Sequence, residues 1–412
     1  MGALSKQVIG IIVALVVIVA LVAVVNPLGM WGGVTPVEGK EVTLPQLTGS
    51  VNEFTIDILK EVSREKGEEN FVISPMNLYV ALLLLYEGTG SETARQIAEA
   101  LHLPPDSSAC RAYEELVSRL PVGEEGDAKL FIANGVWLRK DFPFREEYIS
   151  RVKECFNATV KQFSSVEGLS DEINSWVAGK THGMIRKLVD ELTRDTEAVL
   201  VSALYFKGLW VKEFEYAGKL TFHAPSGNVK ADFMKVTQEL RVIKGGDYVA
   251  VEIPYRNTSI AMLIIMPKNL RNFTENLTYA QLNSILRAVR NAEPREVKLI
   301  MPKFYVESKY DMIDTLKALG IKEVFGNNAD FSKMAHVGKG MLKVSQVVHA
   351  AAINVTEKGT EASAATAIVV VLTAVPSNTQ EIIRIDRPFL YFLIDTSTGT
   401  ILFTGETYNP TT

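Results

Sequence analysis

Cysteine is close to absent from this chain. Among 412 residues only Cys110 and Cys155 occur, which excludes a disulfide-stapled scaffold and, with no Cys or His beside either, a zinc site. Histidine is nearly as scarce. His102, His182, His223, His336 and His349 stand without metal-ligand spacing, so no metal and no cofactor is expected. The G-x-S-x-G nucleophile elbow is missing, which removes hydrolases built on that turn. Gly179-Lys180-Thr181 ends like a phosphate loop, but Asn174 stands where its first glycine is required. No nucleophile–base pair emerges anywhere, and the chain does not read as an enzyme. A basic surplus is missing too: 43 Lys and Arg face 48 Asp and Glu, for a net charge of -5. Nothing clusters them, so nucleic acid is not an expected partner. Repeats, low-complexity blocks and Pro/Gly-rich linkers are absent after about residue 45. One large, monomeric domain over 45–412 is the expectation.

The ends of the absences are as informative as the absences. Val8 to Val25 is one unbroken run without a polar or charged side chain, preceded by Lys6. Its length just suffices to cross a bilayer, and the flanking positive charge favours a cytoplasmic N-terminus with the rest exported. Residues 1–25 therefore read as a membrane anchor, or as a signal sequence whose removal would leave a secreted protein. Residues 26–44 then read as a tether. In an exported chain Cys110 and Cys155 can join or stay as two thiols; spacing along the chain does not decide.

Elsewhere the pattern is mixed. Helical periodicity or start signals mark Val51–Glu65, Met76–Tyr86 after Ser74-Pro75, Ser91–Ala100 and Asp171–Gly179. Apolar, β-rich runs mark strands at Leu130–Leu138, Ala198–Phe206, Val249–Ile253, Ser259–Met266, Val297–Phe304, Val344–Asn354, Phe389–Asp395 and Thr400–Glu406. Helices early and strands late indicate an α+β fold around large sheets. One segment fits neither class. Glu357-Lys358-Gly359-Thr360-Glu361-Ala362-Ser363-Ala364-Ala365-Thr366-Ala367 runs from a glycine into tiny side chains, then into the β-branched Ile368 to Val371. Pro376, Ser377 and Asn378 close it as an exposed loop. It reads as a loop able to enter a sheet.

Several short motifs, in order, carry a resemblance to the serpin family across roughly residues 45 to 410. They are Asn70-Phe71-Val72-Ile73-Ser74-Pro75, Asn174-Ser175-Trp176-Val177 with Thr181-His182-Gly183-Met184-Ile185, and Leu200 to Gly208 with Trp210. Met301-Pro302-Lys303-Phe304, Asp330-Phe331-Ser332, Arg387-Pro388-Phe389, Gly405 and Asn409-Pro410 complete the set. The resemblance implies three β-sheets, eight or nine helices and a reactive-centre loop near 357–380. It also implies a suicide-substrate inhibitor that traps a serine protease as a covalent acyl-enzyme while the loop inserts as a new strand. The alternative within the family is a non-inhibitory binding or chaperone protein.

The residues suit the inhibitory version. With Thr360 facing inward, the alternate positions Ala362, Ala364, Thr366, Ile368 and Val370 are uncharged and free of proline, and Glu361 falls outward. The family's interval from its hinge glutamate, here Glu357, puts the reactive bond at Thr373–Ala374, with Leu372 or Ala374 as neighbouring choices. A Thr there suits an elastase-like or subtilisin-like protease with a small or apolar primary pocket. The resemblance further places a hydrogen-bonded shutter at Ser74, Asn77, Ser202 and His349. It places a breach that restrains the loop at Trp210, Lys303 and Glu357. At Asn77 and Ser202 the family's usual residues are exchanged, so the Asn77 amide is expected to serve the network from the opposite side.

Overall fold

The computed structural model describes residues 13–21, as backbone, together with 40–122, 126–181, 183, 187–360 and 381–412. The expected α+β architecture is present, with nine α-helices and three sheets among the described residues.

Local sequence explains the helices that organise it. Helix Leu44–Lys66 starts in a capping box, in which Thr43 Oγ1 accepts the Gln46 N–H and the Gln46 side chain accepts the Thr43 N–H. Its buried stripe includes Leu47, Val51, Phe54, Ile58 and Val62. Helix Pro75–Tyr86 starts at the N-cap Ser74, and every one of its residues is buried. A helix that is apolar all round needs cover all round. It packs between strand Ala198–Leu209 of a seven-stranded sheet and strand Thr400–Thr407 of a nine-stranded one.

The seven-stranded sheet positions the site. Its order is Phe304–Asp311, Val344–Val355, a shared slot, Ala198–Leu209, Ala128–Arg139 and Thr159–Phe163. Helix Leu169–Lys180 covers the sheet's outer face, where Ile173 and Val177 pack in one apolar cluster with Val199, Val201, Ala203 and Val348. Trp137 and Trp176 meet edge-on there. With both faces covered, the central strands are apolar nearly throughout, as such burial demands.

The nine-stranded sheet is held together by the long strand Gly227–Lys244, which pairs with Glu215–Ala224, Arg295–Pro302 and Tyr248–Pro254. Arg295–Pro302 overlaps the expected Val297–Phe304, whereas Glu215–Ala224 and Gly227–Lys244 lie outside the strands expected from the sequence. Both carry many exposed polar residues and lack the apolar runs that betray a buried strand.

The N-terminus departs from expectation. Val13–Leu21 is a nine-residue β-strand, and among the described residues no helix is long and apolar enough to cross a membrane. The reason is chemical ambiguity. A run rich in Val and Ile satisfies a bilayer, yet β-branching also makes it a strong strand former. The folded body also begins earlier than residue 45, because Lys40–Glu41 pairs with Ser107–Ser108.

Candidate functional site

The shared slot lies between two strands running in the same direction, Ala198–Leu209 and Val344–Val355, with anything between them antiparallel to both. At its upper mouth sits the short strand Gly359–Thr360. Thr360 pairs with Val355 on one wall and Gly208 on the other. Gly359–Thr360 is the part of the expected hinge that lies within the described residues.

Close packing holds that pairing. A Cβ on Gly359 would stand 2.0 Å from the Gly208 carbonyl oxygen, so only glycine passes there. Thr360 is fully buried and hydrogen-bonds through Oγ1 to the hydroxyl of Tyr255. Tyr255 stacks on Trp210 at 4.3 Å between ring centroids. The Trp210 indole N–H donates to the Thr356 carbonyl at 2.9 Å, and its backbone N–H donates to Lys358 at 3.0 Å. Lys303 Nζ stands 3.1 Å from a Glu357 carboxylate oxygen, both side chains being partly exposed. The structure therefore brings Trp210, Lys303 and Glu357 together around the loop's base. Glu361, Ala362, Ser363, Ala364 and Ala365, and the Thr373–Ala374 bond, lie outside the described residues.

Deeper in the slot is a buried polar cluster. Ser74 Oγ donates to the Leu402 carbonyl at 2.6 Å and accepts the Asn77 N–H at 3.2 Å. Asn77 and Ser202 bond twice: the Asn77 amide N–H donates to the Ser202 carbonyl at 2.9 Å, and Ser202 Oγ donates to Asn77 Oδ1 at 2.5 Å. His349 Nε2 accepts the Ser74 N–H at 3.2 Å, which leaves the ring proton on Nδ1. That Nδ1 is buried with no partner among the described residues. Burial pushes the imidazole down to about 3, so it is neutral.

Two members were not anticipated. Asn134 lies with Oδ1 2.9 Å from Ser202 Oγ, and its amide donates to the Phe156 carbonyl at 2.8 Å. An Asn inside the apolar strand Leu130–Leu138 was the available signal. Tyr255 carried no such signal, because its role depends on a distant strand reaching Thr360.

Away from the slot, Cys110 and Cys155 are joined by a disulfide with a Cα–Cα distance of 4.8 Å. It ties the start of helix Cys110–Arg119 to the end of helix Glu146–Phe156. Among the described residues no cluster of His, Cys, Asp and Glu is placed to hold a metal.

Comparison with known proteins agrees with this geometry. Residues 49–410 match the family model described as Serpin (serine protease inhibitor). An uncharacterised serpin-like protein of Thermococcus kodakarensis is 34% identical over 383 residues, covering 90% of this chain and 87% of its own. The leukocyte elastase inhibitor of Xenopus laevis is 29% identical, covering 89% of this chain and all of its own. Among solved structures, human thyroxine-binding globulin complexed with its hormone superposes with a TM-score of 0.77. It is 24% identical, and the match covers 90% of this chain and 100% of that one, so the likeness concerns the fold.

Proposed function

This chain belongs to the serpin family, and from that premise we propose that it is a suicide-substrate inhibitor of serine proteases rather than a catalyst. The observation that carries this reading is the hinge. Gly359–Thr360 is threaded between two parallel-running strands at the mouth of a slot. The alternate residues whose side chains would face inward are uncharged, and the first of them, Ala362, Ala364 and Thr366, are small. A non-inhibitory member needs no such composition, and bulky, charged or proline residues would then be tolerated in the hinge.

In this reading a protease cuts Thr373–Ala374 and its serine is acylated by the Thr373 carbonyl. Once Val13–Leu21, which pairs with both walls below Thr360, has left, the freed loop follows Gly359 into the slot, each step then adding backbone hydrogen bonds to both walls. The bound protease is carried along with it. The Lys303–Glu357 pair and the Trp210 stack restrain the base until cleavage. A small primary residue favours an elastase-like or subtilisin-like target, and the relative named as a leukocyte elastase inhibitor points the same way. The protein acts as a monomer without cofactor, outside the cytoplasm.

The second reading is a non-inhibitory member of the family acting as a binding or chaperone protein. One gel separates the two. Incubation with an elastase-like and a subtilisin-like protease is expected to give a covalent complex that survives denaturation. Clean loop cleavage without a complex rejects inhibition.

A further inference from the structure

The slot is not vacant below its mouth. Val13–Leu21 lies in it, paired with Ala198 to Phe206 on one wall and with Val344 to Ala350 on the other. Register shows what this means for the loop. Thr360 stands opposite Val355 and Gly208, and Val16 stands opposite Ala350 and Ala203. Five steps on from Thr360, Ala365 would meet the same Ala350 and Ala203 that Val16 meets now. Residues 362–370 would thus take the nine places of Val13–Leu21, in the same chain direction.

We propose that the N-terminal strand is a built-in competitor of the reactive loop: while it holds the slot the cleaved loop cannot insert, and the trap is armed only when the segment withdraws. The proposal rests on the inhibitory reading above. Its physical core is an exchange. A strand entering an open slot adds a hydrogen-bonded ladder on each side, at roughly 1 kcal/mol net per bond. A strand that must first displace another of equal length gains only the difference between their side chains. The buried polar cluster supplies one such difference. Val17 stands at the row of His349 and Ser202 and brings no hydrogen-bonding group. Thr366 would take that row on insertion and offer a hydroxyl beside His349, whose Nδ1 has no partner among the described residues.

What draws the segment out is a lipid bilayer. The run Val8 to Val25 that supplies the strand is also long and apolar enough to span one. Docking at a membrane would then open the slot where the protein meets its target.

The test uses the full chain with Val16→Cys and Ala350→Cys, register partners whose Cα separation in an antiparallel pair suits a disulfide. Oxidation is expected to give an intramolecular crosslink. The crosslinked protein should yield at least about tenfold less covalent complex with an elastase-like protease than the same protein after reduction. Wild type under the same reductant controls for Cys110–Cys155. A synthetic peptide copying residues 360–372 should shift the reduced protein on a native gel and leave the crosslinked one unmoved. Val17→Asp, which weakens the strand without a crosslink, should raise complex yield. Vesicles of phosphatidylcholine and phosphatidylglycerol should raise it for wild type. A missing crosslink, a crosslink between two molecules, or equal complex yield and peptide uptake in both states overturns the competition. Unchanged yield with vesicles overturns the membrane as the release. If no complex ever forms while peptide uptake still follows the crosslink, the competition stands and the inhibitory reading falls.

Discussion

At the scale of single residues, the buried polar groups decide behaviour because each must be partnered or neutral. Asn77 and Ser202 satisfy each other through two hydrogen bonds. Asn77→Ser and Ser202→Asn should each cost about 1–3 kcal/mol, and the double variant should recover much of the loss. Denaturant unfolding of the four proteins measures the coupling; strictly additive losses would show that the two residues act independently. Two titratable groups act with opposite sign. His349 is held neutral by burial, down to about 3, so its contribution is present above the imidazole's ordinary range and is lost as pH falls from about 6.5 toward 3. Glu406 is buried against Thr274 and Ser63, and burial lifts its carboxyl to about 7. Its contribution is present below about 4.5 and lost as pH rises toward 7, on the order of 3 kcal/mol. Glu406→Gln should remove that part of the pH dependence, read as the difference in melting temperature between pH 5 and pH 8.

Elements impose geometry that no single residue carries. The hinge passes Gly208 so closely that Gly359→Ala should dislodge the Gly359–Thr360 pairing. The expected consequence is a shift from trapped protease to released protease and clipped chain, measured as the ratio of complex to cleaved product. Lys303 and Glu357 sit at the same place but partly in solvent, so Lys303→Ala should change global stability by no more than about 1 kcal/mol. The disulfide between helices spans 45 residues of chain. Replacing both cysteines by serine should lower stability by about 4 kcal/mol on loop-closure grounds, seen as a lower melting temperature. These elements differ in legibility. Ser74-Pro75 marked its helix start because an N-cap and a first-turn proline are local signals. The disulfide stayed open because a Cα separation is set by two helices packing, which no spacing along the chain encodes.

For the whole molecule, the prediction concerns which strand ends in the slot. Nicking the loop should raise the melting temperature when the N-terminal segment is free to leave. It should leave it unchanged when Val16→Cys and Ala350→Cys hold the segment in place. Calorimetry of nicked and intact protein, oxidised and reduced, checks this; a nicked, reduced protein that melts no higher than the intact one rules out stabilising insertion of the cleaved loop. The candidate site was half legible at this scale. Trp210, Ser74 and His349 could be named from family motifs, while Asn134, Tyr255 and Thr356 joined them only through strands far apart in sequence.

The chain's order of residues, taken alone, set the fold class, the buried helix Pro75–Tyr86, and the small-residue character of the loop, because periodicity, capping and side-chain size act over a few positions. It could not settle the fate of Val13–Leu21. An unbroken β-branched run is equally at home in a bilayer and in a sheet, and local chemistry does not choose between them. That choice belongs to the tertiary structure, where two strands nearly 150 residues apart leave one opening whose register both segments fit.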